Sequence, residues 1–360
     1  MILKRFLKPA ARKSFITYAM LIAAFIAVEI MISTGSASNM FKGLLIPFCV
    51  YSIAAASLNL TVGVLGELSL GQAGFMCIGA YSSAIFSVVT KDTITSAWVR
   101  FPIAILIGGC FAALFGVLIG IPVLRLRGDY LAIVTLAFGE IIKNVFAALY
   151  VGYDSSGLHF SLTSQGDLGL APDGKMLING ALGISGTPKD STFEIGFIVL
   201  MLSLIILYNF VNSRTGRIVM SIRDNRIAAE SIGINITKYK LITFGLTAFL
   251  GGVAGSLFSH NLASLQASKF DYNLSILVLV FVVLGGIGNI RGSVIAAIVL
   301  TYLPEVLRSI NNYRMLIYSI VLIVMMIFTS NAKIRGFFAA SLSRLKGLVF
   351  KKDSAVKEGE

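Results

Sequence analysis

Charge is scarce in this 360-residue chain. Asp, Glu, Lys and Arg make up 13% of it, against a hydrophobic share of 56% and a mean hydropathy of +0.87. Soluble globular domains carry about a quarter charged residues. The apolar residues run the whole length of the chain, which excludes a soluble domain with one anchor and points to a polytopic membrane protein. Cysteine and histidine are as rare. Cys49, Cys77 and Cys110 all fall inside apolar runs without metal-type spacing, so they read as packing residues rather than disulfides or ligands. The two histidines, His159 and His260, lie far apart. No Gly-x-x-x-x-Gly-Lys-Ser/Thr occurs, and Leu284–Gly288 has no strand context that would make it a dinucleotide turn. Neither a Ser/His/Asp order nor a catalytic carboxylate pair is present, so the chain is expected to be no enzyme and to need no metal or cofactor of its own. Acids are fewer than bases, for a net charge of +13. In so apolar a chain this reads as basic loops facing an anionic membrane leaflet, not as nucleic-acid binding.

Ten apolar runs read as spans: Phe15–Ser33, Leu44–Val62, Ser69–Thr90, Phe101–Leu124, Tyr130–Val151, Phe193–Asn212, Leu241–Asn261, Leu274–Ile290, Ser293–Leu307 and Met315–Thr329. The first follows a basic N-terminus but is longer than the roughly 7–15 residues of a cleaved signal core. A span needs roughly 20 residues, so the shorter runs are expected to be tilted, broken or re-entrant. With the N-terminus inside, 21 of the 30 Lys and Arg fall on inside segments and eight outside, as the positive-inside rule requires. Both termini are then cytoplasmic. Residues 1–335 form a transmembrane domain and residues 336–360 a basic tail. The Gly-, Ser- and Asp-rich segment 152–192 lies outside, as a surface loop or as a docking or lid element. The fold class is an all-α polytopic membrane protein with about ten transmembrane helices, some broken or re-entrant, and an internal repeat.

Glycine is abundant in two polar interruptions. Asn59–Tyr81 places Gly63, Gly66, Gly71, Gly74 and Gly79 among Glu67, Ser69 and Gln72; Val283–Ser293 carries Gly285, Gly286 and Gly288. Such backbone either packs closely against a neighbouring helix or lines a cavity. One interruption in each half suits a transporter built from repeats around a midplane site. Glu140 and Lys143, three residues apart within a span, can face each other on a helix, either as a structural pair or as gating charges. Ser69, Gln72, Thr135 and Glu140 are the substrate-path candidates, being polar groups in apolar surroundings. Gly251, Gly252, Gly255 and Ser256 put small residues on one face for helix packing.

Ser213–Lys240 is the longest water-soluble stretch with helical character, with six bases and two acids. Ser221-x-x-Asp224 offers a capping box and Gly233 a stop. A helix of about 10 residues and roughly 15 Å is expected between them, with Ile222, Ala229 and Ile232 available for an apolar face. That shape suits a groove on a partner; a solvated charge run is the alternative.

Several segments, in order, carry a resemblance: NLTVGVLGELSLGQAGFMCIGAY, LRGDYLAIVTLAFGEIIKNV, GRIVMSIRDNRIAAESIGINITKYKL, FGLTAFLGGVAGSLF and VVLGGIGNIRGSVIAAIVL. Together, from about Ala55 to Leu307, they resemble the LivM-type permease subunit of branched-chain amino acid ABC importers. The resemblance implies a bacterial inner-membrane permease without its own nucleotide site. It implies a second, related permease subunit, two cytoplasmic ATPase subunits that bind the ATP, an extracytoplasmic substrate-binding protein, and membrane lipid around the spans. It implies that Arg223, Asp224, Asn225, Arg226, Ala228, Ala229, Glu230 and Gly233 belong to the loop that contacts the ATPase. After the fifth span the chain reads VGYDSSGLHFSLTSQGDLGL where the family pattern has a Thr-Gly-Gly-type turn, and related permeases carry urea or short amides. Two further readings stay open at this point. An ion-coupled secondary transporter would use Glu140 and Lys143 as coupling charges; a membrane scaffold would have no need of irregular backbone at membrane depth.

Overall fold

The computed structural model describes residues 9–307, apart from 36–37, 92, 125, 127, 155–156 and 170–173, with short helical pieces between 316 and 324. The expected span at 315–329 and the tail at 336–360 lie essentially outside the described residues. One compact unit ends at Thr301 and a second begins at Tyr302.

The first helices are α1 (Pro9–Ser33), α2 (Asn39–Asn59), α3 (Gln72–Val89), α4 (Ala97–Val123) and α5 (Asp129–Ala148). A π-helical turn, Leu60–Leu65, continues α2. Then come α6 (Phe193–Asn212), two short helices α7 (Arg214–Asp224) and α8 (Arg226–Ser231), the long α9 (Ile236–Ser259), and α10 (Tyr272–Gly285) and α11 (Ile290–Val306). Among the described residues six helical segments are long and apolar enough to cross a membrane: Asn39–Leu65, α3, α4, α5, α6 and α9. The chain is a multi-pass, mostly helical membrane protein, and ten full spans are not seen. The difference lies partly in the last glycine-rich segment. Leu274–Ile290 and Ser293–Leu307 were each expected to span, but α10 has 14 residues and α11 17. At about 1.5 Å per residue neither crosses roughly 30 Å unaided. They are separated at 286–289, where Gly286 and Gly288 take φ of +94° and +82°, values a side chain rarely permits.

α9 is the axis of the bundle because its own sequence is small where neighbours must come close. A Cβ added at Gly252 would run into Ala112 and the Gly108 carbonyl, and one at Gly255 would overlap the Met76 carbonyl. α4 answers with Gly108, Ala112, Gly116 and Gly120, all buried at four-residue spacing. This is helix association by close backbone approach, the solution open to helices in lipid. Beside it Phe75, Ile78, Val123, Leu131, Phe244 and Ala248 form a buried apolar cluster. The opposite face of α4 exposes Leu106, Phe111, Leu114, Leu118 and Ile121, the side such a helix presents to hydrocarbon.

The segment expected as a 152–192 loop is largely structured. Strands β1 (Tyr150–Asp154), β2 (Gly157–Ser161) and β3 (Lys175–Asn179) form an antiparallel sheet in the order β2-β1-β3, with Val151 opposite Phe160. Strand β4 (Ile184–Ser185) pairs with β5 (Ser264–Leu265), just past α9. Arg100 donates to Asp190 at 2.6 Å with both side chains largely buried. The loop is thereby fastened to the bundle at two points, which a purely helical expectation leaves out.

Candidate functional site

The stretch 213–240 folds as two capped helices, not one. Ser213 caps α7 by accepting from the Gly216 amide at 3.1 Å. Ser221, expected as a cap, sits inside α7, where its hydroxyl donates to the Ile218 carbonyl. Asp224 pairs with Arg223 instead of closing a capping box. The cap of the second helix is Asn225, whose extended backbone breaks the chain and whose Oδ1 accepts from Ala228 N at 3.0 Å. Asn is as good a cap as Ser, and here the backbone bends at Asn225. The stop at Gly233 holds. Its φ is +82°, with Ile234 N donating to Ala229 O and Gly233 N to Glu230 O, a Schellman motif.

The expected apolar face also divides. Ile222 and Ala229 are buried with Ile236 in a small core that joins α7, α8 and the start of α9. Ile232 stays 76% exposed, and Ile227, which the sequence pattern did not single out, is 81% exposed. The two isoleucines form the apolar tips of an otherwise polar knob, with Ala228 and Glu230 exposed beside them.

Arg223 ties this knob to the first glycine-rich segment. Its guanidinium donates to the Gly63 carbonyl at 2.9 Å, inside the π-turn. The stem of Arg223 lies over Gly66, where a Cβ would come within 3.1 Å of Cδ and overlap Cγ. Gly66 itself closes the turn with φ +78°. Next along, Glu67 forms an ion pair with Lys240 of α9, whose side chain is 4% exposed.

The same turn meets the second glycine-rich segment. Asn59 Oδ1 accepts from Gly288 N at 2.8 Å and its Nδ2 donates to Ser293 Oγ at 2.6 Å, with a longer contact to the Gly286 carbonyl. A Cβ on Gly63 would overlap Asn59 and the Gly288 backbone, and one on Gly285 would overlap Gly292. The two interruptions, more than two hundred residues apart, therefore interlock through a buried asparagine that sequence reasoning passed over. Its only signal was a polar residue opening NLTVG.

The substrate-path candidates take separate places. Ser69, Gln72 and Thr135 are all at least 98% buried around the start of α3. Thr135 Oγ1 accepts from Leu70 N at 2.9 Å, and Gly71 and Gly74 pack against Thr135 and Gly139 of α5. Gln72 Nε2 donates to Ser57 at 2.8 Å, while its Oε1 meets no donor among the described residues. Ser275 of α10 accepts from Ala73 N. The amides at the start of α3 are thus supplied with acceptors from other helices. Glu140 is elsewhere: it pairs with Lys143 and accepts from Tyr272 N at 2.9 Å, at the first turn of α10. A carboxylate there also meets the positive end of that helix.

The chain is thus a multi-span bundle whose two glycine-rich interruptions interlock with each other and, through Arg223, with the two-helix knob. The chain belongs to the family described as branched-chain amino acid transport system / permease component, which it matches over residues 40–330. It is similar to the high-affinity branched-chain amino acid transport system permease protein LivM of Escherichia coli K12, 33% identical over 77% of this chain and 66% of that protein. The LivM of Salmonella typhimurium is 30% identical over 90% of this chain and 76% of its own length. A nucleoside ABC transporter permease of Lactococcus lactis is 26% identical over 54% of this chain and 59% of that protein. No solved structure matches the chain at a significant level.

Proposed function

We propose that this chain is the membrane-spanning subunit of an ABC importer that moves branched-chain amino acids inward, driven by ATPase subunits docking on α7 and α8. The observation that carries this reading is the linkage from Ile227 and Ile232, exposed on the knob, through Arg223 to Gly63, and from Asn59 to Gly286–Ser293. A partner that rocks the knob pulls on both interrupted segments at once. Rigid short helices suit that role, since a docked helix transmits displacement that a solvated loop would absorb. The exposed isoleucine pair fits an apolar groove on the partner. In this reading the knob and both termini are cytoplasmic, the β1–β3 sheet faces the substrate-binding protein, and a second related permease completes the pathway. The identity to the two LivM proteins supports the substrate class.

The test is uptake into vesicles by this chain co-produced with two ATPase subunits, a second permease of the family and their binding protein. Leucine uptake that needs ATP, with a nucleoside as competing substrate, is the expected outcome. Uptake by this chain alone, driven by an ion gradient without ATP, would replace the proposal with a secondary transporter. ATP-dependent uptake of the nucleoside but not of leucine would keep the importer and change its substrate.

A further inference from the structure

Arg226 differs from Arg223 and Lys240, the other bases that line the space at the junction of α7, α8 and α9. Arg223 is paired with Asp224 and Lys240 with Glu67, whereas Arg226, half-buried, has neither an ion pair nor a hydrogen bond among the described residues. It lines a cavity of about 250 Å³ that also has Glu67, Lys240, Leu65 and Ile222 in its walls. The cavity lies between the knob and the π-turn, so the loop expected to face a partner turns one of its arginines inward.

The walls have the three parts of one ligand class. A partly desolvated guanidinium without a partner is unfavourable, and its planar fork accepts a carboxylate through two parallel hydrogen bonds. Of the charged wall residues, Arg223, Arg226 and Lys240 outnumber Glu67, and Asp224, the partner of Arg223, is not among them, so the walls are net positive. That favours a ligand with a carboxylate, and the one acid among the bases, Glu67, favours a ligand that also carries an ammonium. Glu67 is held by Lys240 through Oε1, while Oε2 has no donor among the described residues. Leu65 and Ile222 supply an aliphatic wall.

We propose that this cavity binds a free zwitterionic amino acid with a short aliphatic side chain. Its carboxylate sits on Arg226, its ammonium on Glu67, and its side chain against Leu65 and Ile222. The inference rests on the reading of the chain as an amino-acid importer subunit, and adds a site at which the delivered product acts back on transport. A molecule held there bridges the knob to the π-turn and α9. It holds the junction in one position, so product accumulated on that face slows the next cycle.

The experiment uses the full complex in vesicles with ATP supplied on the knob side. Initial uptake is measured with that side preloaded with L-leucine, leucinamide, 4-methylpentanoate or inorganic phosphate. Leucine is expected to slow uptake severalfold, the two analogues lacking one charged end each about tenfold less potently, and phosphate not at all. Arg226→Gln should abolish the slowing, and Arg226→Lys should restore part of it, with complex assembly checked by size-exclusion chromatography. Wild-type uptake insensitive to preloaded leucine overturns the inference and leaves the importer standing. Slowing by phosphate equal to that by leucine also overturns it, as an anion site only. Slowing that survives Arg226→Gln places the effect elsewhere. No ATP-dependent uptake of leucine in the wild type would refute the function proposal itself.

Discussion

Replacing Arg223 by methionine keeps a stem over Gly66 and removes the guanidinium that donates to the Gly63 carbonyl at 2.9 Å. The pair with Asp224 adds little to the cost. Its side chains are 38% and 67% exposed, and such surface pairs contribute about 0–1 kcal/mol. The bond to Gly63 is different, because the donor is charged and Gly63 is buried. Hydrogen bonds to charged groups are worth about 1.5–3 kcal/mol, so the population of an opened π-turn should rise about ten- to a hundredfold. Amide hydrogen exchange reads this directly. Gly66 N and Glu67 N both donate to the Thr61 carbonyl, closing the turn. Their exchange should accelerate in Arg223→Met by that factor, while amides in the middle of α9 stay unchanged. If the complex transports, the same variant should hydrolyse more ATP per molecule delivered, because the knob moves without the turn. Unchanged exchange at Gly66 and Glu67 would refute the idea that Arg223 holds the turn, whatever the transport result.

Two further outcomes follow from the packing. Gly79→Ala should cost at least about 1–3 kcal/mol in thermal stability in detergent, because its Cβ would overlap the Gly252 backbone; Gly245→Ala, facing only Val117 Cγ2 at 3.1 Å, should cost clearly less. Lys240→Met leaves Glu67 unpaired and should destabilise by up to about 3–5 kcal/mol, whereas Lys240→Met with Glu67→Leu should recover most of the loss in the same melting assay; equal losses in both variants would show that packing, not charge, governs the site.

The membrane class was legible because composition alone decides it: too few charges to cover a soluble surface, and apolar runs of spanning length. The knob was legible in outline, since a basic stretch with a glycine stop cannot cross lipid. Its cap was misplaced because Ser221 and Asn225 are both good caps, and only the chain's bend at Asn225, fixed by packing Ile222 and Ala229 together, selects between them. The four path candidates were singled out as polar groups in apolar surroundings; Ser69, Gln72 and Thr135 are buried and Glu140 only partly so, and burial does not say whether a hydroxyl serves a ligand or a neighbouring amide.

By itself, then, the sequence determined the solvent in which this chain folds, where its backbone must break, and which segment stays in water. Those follow from local chemistry: hydropathy, glycine and charge. Tertiary structure decided which breaks meet. That Asn59 reaches Gly288, that Arg223 reaches Gly63, and that Arg226 has no partner among the described residues although it lines a cavity with Glu67 depend on packing that brings distant segments within hydrogen-bond reach. Helical period and composition repeat every few residues and carry no record of contacts hundreds of residues apart.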